Sequence, residues 1–67
     1  MITIQFNGKA QEIQTGTTIL RLLEIAGIKG KYCAVERNGD IVPKSMYAST
    51  ELSEGDQMEV VTLVGGG

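Results

Sequence analysis

The residues best placed to do chemistry in this 67-residue sequence are its last three, Gly65, Gly66 and Gly67. Glycines form the thinnest peptide available, and three of them, extended, reach at most about 10 Å. They also have the most conformational entropy to lose, so they predict a mobile tail over 65–67. Such a tail is either a frayed end or a strip that threads a narrow channel in a partner. Its reactive group is the unhindered carboxylate of Gly67. A carboxylate at neutral pH is a poor electrophile, because its charge repels nucleophiles. Conversion to an acyl phosphate or acyl adenylate removes the charge and supplies a leaving group. The sequence has no Gly-x-x-x-x-Gly-Lys-Ser/Thr loop to hold a nucleotide. ATP and Mg are therefore expected from a partner, and this chain is expected to bind no cofactor or metal itself.

Other chemistry is scarce. There is no histidine, which removes Ser-His-Asp and Cys-His catalysis and the usual zinc sites. Cys33 is alone and sits in the apolar run Tyr32-Cys33-Ala34-Val35, so it reads as a buried structural thiol rather than a nucleophile. No catalytic residue is expected, and the chain reads as a carrier or binding module, not an enzyme. Its size agrees: a domain this small has about 3–10 kcal/mol of total stability, little with which to hold a strained active site.

The formal net charge is -2 and the pI about 4.9. Lys9, Arg21, Lys29, Lys31, Arg37 and Lys44 are scattered, which argues against nucleic acid as a partner. Glu51, Glu54, Asp56 and Glu59 stand close together before the tail. They read as a solvated turn or as an acidic rim that steers docking onto a basic partner. No segment resembles a signal peptide or a membrane span, so the expected compartment is cytoplasmic, with no membrane partner.

The elements that must position the tail follow from periodicity. Ile2, Ile4 and Phe6 alternate with polar residues as a strand with one buried face. Asn7-Gly8 favours a tight hairpin turn into a second strand, about Lys9 to Gln14, with Ile13 facing in. Thr17 or Thr18 caps a helix of about nine residues. Its apolar stripe is Ile19, Leu22, Leu23 and Ala26, and Gly27 ends it. A third strand runs from Tyr32 to Arg37. Asn38-Gly39 turns it into a short strand at Ile41-Val42, which Pro43 ends. Lys44 to Tyr47 predicts one helical turn with Met46 or Tyr47 plugging the core. The last strand, Gln57 to Val64, is apolar on both faces and so belongs in the middle of its sheet. One face covers the helix. The other, with Val61 and Leu63, is either ordinary exposed surface or a docking patch for a larger protein.

The order β-β-α-β-β-β predicts an α+β fold, a mixed sheet of four to five strands grasping one helix. The domain spans 1–64 and the tail 65–67.

In that order, Asn7-Gly8, Thr17-Thr18-Ile19, Leu22-Leu23, Val35-Glu36-Arg37-Asn38-Gly39, Ile41-Val42-Pro43-Lys44, Leu52-Ser53-Glu54-Gly55-Asp56 and Val64-Gly65-Gly66-Gly67 resemble the ubiquitin-like β-grasp proteins. More closely, they are similar to the ThiS family of sulfur carriers in thiamin biosynthesis. The resemblance implies that a ThiF-type adenylyltransferase adenylates the terminal carboxylate, here that of Gly67, with Mg-ATP. A cysteine desulfurase or other sulfur donor then gives a thiocarboxylate. Thiazole synthase of the ThiG type accepts its sulfur. Gly65 and Gly66 would thread into the partner, and the exposed face with Val61 and Leu63 would dock it. The resemblance extends to the small subunit of molybdopterin synthase, which is usually longer. Two further readings stand beside it: a ubiquitin-like protein modifier, and an interaction domain with an inert tail.

Overall fold

The alternation at the start of the chain becomes strand β1 (Ile2–Phe6), and the Asn7-Gly8 turn returns it as β2 (Lys9–Ile13). The computed structural model describes residues 1–63. Asn7 and Gly8 have φ values of 49° and 84°. Positive φ at both central positions gives the turn the twist of the strands it joins. The antiparallel register runs from Ile2 opposite Ile13 to Phe6 opposite Lys9.

Helix α1 covers Ile19–Ile25, seven residues rather than nine. Of the two candidate caps, Thr18 takes the role: its Oγ1 accepts a hydrogen bond from the Arg21 N–H at 3.2 Å. Thr17 is buried and donates its hydroxyl to the Gln14 carbonyl. The helix ends at Gly27, φ 75°, with paired bonds from Gly27 N–H to Glu24 O and from Ile28 N–H to Leu23 O. This ending changes the apolar stripe. Ile19, Leu22 and Leu23 are buried as expected, but Ala26 is exposed. The chain reverses at Gly27 and brings Ile28 against the core in its place.

Strand β3 (Cys33–Arg37) starts one residue later than expected, because Gly30–Tyr32 forms a 3-10 turn that leaves Tyr32 exposed. Asn38 (φ 52°) and Gly39 (φ 89°) form the second two-residue turn, into β4 (Asp40–Val42). After Pro43 a 3-10 turn, Lys44–Met46, carries the chain back over the core. Tyr47 is the plug, 4% exposed, whereas Met46 faces solvent. Strand β5 is Gln57–Thr62. The strand ends one residue before Leu63, which was predicted to lie within it; Val64 and the predicted tail 65–67 lie outside the described residues.

The five strands make one mixed sheet in the order β2-β1-β5-β3-β4. β5 is central as its composition requires: it pairs parallel to β1 and antiparallel to β3. Ile4, Ile13, Val35, Met58 and Val60 on one face of the sheet enclose Ile19, Leu22 and Leu23 of α1, with Tyr47 and Leu52 closing the side. A seven-residue helix is far too short to persist alone. Burial of its three large apolar residues holds it.

Candidate functional site

Strand β5 is the last described element before the glycines expected to do chemistry, so its fixation sets where that segment begins. Both flanking hairpins take part. At the first, the Asn7 side chain reaches past its own turn: Nδ2 donates to Val60 O at 3.1 Å and Oδ1 accepts from Val60 N–H at 2.7 Å. At the second, Asn38 Oδ1 accepts from Gln57 N–H at 2.8 Å. The backbone N–H groups of Asn7 and Asn38 donate to Met58 O and Gln57 O. Each asparagine thus turns its own hairpin and prolongs the ladder onto the central strand. Past the end of β5, Leu63 N–H still donates to Tyr32 O. The chain is held on the β3 side up to the last described residue. Gly65, Gly66 and Gly67 lie beyond it.

The docking residues proposed from sequence are where a partner can reach them. Val61 is 60% exposed, on the sheet face opposite α1, and Leu63, one residue past β5, is 58% exposed. Ala34 lies opposite Val61 in the register, and Ile41, 75% exposed, lies opposite Glu36.

The acidic rim needs correction. Asp56 is buried. Its Oδ2 accepts from Arg37 Nε at 2.9 Å and from Ser53 N–H at 2.8 Å, and its Oδ1 accepts from Asn38 Nδ2 at 3.0 Å. Desolvation pushes the carboxyl's pKa upward. The Ser53 and Asn38 hydrogen bonds, with the bond and charge of Arg37, outweigh it and hold the pKa below the ordinary aspartate value. Asp56 is therefore a structural knot between β3 and the start of β5. Glu54 is also committed locally, accepting from Thr3 N–H at 2.9 Å.

Cys33 is 1% exposed, and its thiol donates to Gly30 O at 3.4 Å. The sulfur is packed away from any substrate, as its apolar neighbours suggested. Tyr47 lies beside it; burial, followed by the influence of Cys33, raises the phenol's pKa above its usual value.

The lysines, scattered in sequence, are partly gathered by the fold. Lys44 Nζ donates to Lys31 O at 2.7 Å, and Lys31 Nζ stands 5.0 Å from the centroid of the Tyr32 ring. The carbonyl of Tyr32 is the one that holds Leu63. Residues 31 and 44 belong to different elements, and no local spacing links them. Among the described residues, no group of three or more Cys, Asp or Glu side chains is arranged to hold a metal ion. No described helix is long and apolar enough to cross a membrane.

A mixed five-stranded sheet with a parallel central pair, two flanking hairpins and one enclosed helix is the ubiquitin-like β-grasp fold. The ThiS family model matches residues 4–67, and the chain belongs to the ThiS family. It is 40% identical over 65 residues to the sulfur carrier protein ThiS of Bacillus subtilis, covering 96% of this chain and 98% of that protein. It is also 41% identical over 61 residues to a thiazole synthase of Paramagnetospirillum magneticum. That match covers 91% of this chain but only 19% of the much longer relative. Among solved structures, the thiamine biosynthesis protein ThiS of Geobacter metallireducens superposes with a TM-score of 0.84 at 25% identity. The match covers 98% of this chain and all of that one.

Proposed function

We propose that this chain is a sulfur carrier of thiamin biosynthesis whose working atoms are those of the Gly67 carboxylate. A ThiF-type adenylyltransferase joins that carboxylate to the α-phosphate of ATP and releases pyrophosphate. Mg and the nucleotide site belong to that enzyme. The outer sulfur of a persulfide on a cysteine desulfurase or another donor attacks the acyl adenylate and expels AMP; a thiol then reduces the acyl disulfide to a thiocarboxylate, which a ThiG-type thiazole synthase consumes in building the thiazole ring. Gly65 and Gly66 thread the end into each partner, and Val61 and Leu63 dock against it. The chain acts in the cytoplasm and is a substrate of these enzymes, not a catalyst.

The observation that carries this reading is the family match, which spans residues 4–67. The chemistry agrees with it: the one thiol is buried and histidine is absent. Similarity to a segment of thiazole synthases favours thiazole over molybdopterin as the product served.

Intact-mass spectrometry tests the reading. After incubation with the adenylyltransferase, ATP and a sulfur donor, the chain should gain the mass change of one oxygen replaced by sulfur, localised to Gly67. Attachment to larger proteins instead would identify a modifier, and an unchanged mass would identify an inert domain.

A further inference from the structure

The strand register shows which side chains share the face opposite the helix. On β1 and β2 they are Thr3, Gln5, Ala10 and Glu12. On β5 they are Gln57, Glu59 and Val61; on β3, Ala34 and Glu36; on β4, Ile41. Two facts stand out. Among the described residues, the five strands place Glu12, Glu36 and Glu59 on this face and no lysine or arginine. And Glu36 lies directly opposite Glu59 in the antiparallel pair. Both are exposed, and neither forms an ion pair among the described residues.

Directly opposed like charges destabilise a sheet. Here they lie in one cross-strand row with Ile41, next to the row of Ala34 and Val61. The face therefore combines an apolar patch with a paired negative charge that the fold itself does not neutralise. A second copy of the chain is a poor occupant, since it would bring carboxylates against carboxylates. Charge complementarity selects a protein surface that is apolar with a cation at its centre.

We propose that the open face of β4, β3 and β5 docks a partner protein through an arginine or lysine seated between Glu36 and Glu59, with Ile41, Ala34 and Val61 packed around it. This rests on the carrier reading for the identity of the partner. Of the acidic rim expected from sequence, it keeps Glu59 as the electrostatic element, joined by Glu36, in place of Glu51, Glu54 and Asp56. Arginine suits the place better, because its planar fork can donate to two carboxylates at once.

Binding can be tested apart from chemistry. The full chain is titrated calorimetrically into the ThiF-type adenylyltransferase without ATP or sulfur donor, at several salt concentrations. Glu36→Gln/Glu59→Gln should weaken binding roughly tenfold and flatten the salt dependence, while melting no lower than the parent. Glu51→Gln/Glu54→Gln should bind like the parent. Equal binding by the Glu36→Gln/Glu59→Gln chain would overturn the proposal, as would the absence of any binding, or a dimer in sedimentation that this double substitution strengthens. The carrier reading is judged separately, on the parent chain: with ATP and a sulfur donor it should acquire sulfur at Gly67. Its failure to do so would sink that reading and leave the binding result to stand alone.

Discussion

The carboxamide of Asn7 pairs with both backbone polar groups of Val60, 53 positions further along the chain. A glycine would satisfy the turn's backbone as well, but only asparagine offers a donor and an acceptor with the geometry of a neighbouring strand. Replacing Asn7 by alanine should cost about 2–3 kcal/mol, because Val60 loses both partners and alanine resists φ near 49°. In a domain this small that lowers the melting temperature by about 8–24 °C. Asn7→Gly, which removes only the hydrogen bonds, should cost about 1–2 kcal/mol. Thermal unfolding of both variants checks this; equal melting of all three proteins would show that the clamp contributes nothing.

Asp56 predicts a pH dependence. Its pKa in the folded protein lies below the ordinary value of 3.8. The linked stability is then fully present above about pH 4 and is lost as pH falls through the lower, folded-state value. Asparagine cannot replace it: whichever way the amide turns, its NH2 meets a donor from Arg37, Ser53 or Asn38. Asp56→Asn should therefore lose about 2–4 kcal/mol at pH 7, and the gap to the parent should narrow below pH 4. Denaturant titrations at pH 7 and pH 3 would show it. A gap of constant size would mean that the carboxylate's charge is irrelevant.

Leu63 and Val61 are exposed in the folded chain. Leu63→Asp should change stability by no more than about 0.5 kcal/mol while weakening binding to the adenylyltransferase at least tenfold. The comparison needs a melting curve beside the binding isotherm. Unfolding without a separate binding defect would move Leu63 into the core.

The tail makes the plainest prediction. Removal of Gly67, or a peptide fused after it, should abolish sulfur loading and leave the melting curve unchanged. Loading of a chain blocked in this way would rule out the terminal carboxylate as the acceptor.

Much of the fold was legible because local chemistry dictates it. Asn7-Gly8 and Asn38-Gly39 announce their turns, the Thr17-Thr18 pair the helix start and Gly27 its end. The strand apolar on both sides announces its central place. What was missed depends on tertiary geometry. Ala26 fits the helical stripe but falls at the C-cap, where Ile28 takes its place after the reversal. Asp56 looks like any acid in a turn until Arg37 is brought beside it by the pairing of β3 with β5. The opposition of Glu36 and Glu59 has the same origin. A two-residue turn fixes the register of β3 with β4, but nothing in the 19 positions from Asn38 to Gln57 fixes that of β3 with β5 before folding.

The central place of β5 has a consequence for how the protein is made. On the ribosome β1 emerges first and β5 last of the five strands. Until then the two hairpins have no strand between them, and Asn7 has no Val60 to hold. The pairing of β5 with both β1 and β3 thus comes last, and its closure with β1 is a distant contact, slow to form. A nascent chain interrupted before residue 57 cannot complete the sheet. The fold thereby couples its own completion to the synthesis of its last described strand, so a properly folded molecule is one whose translation has already passed Thr62.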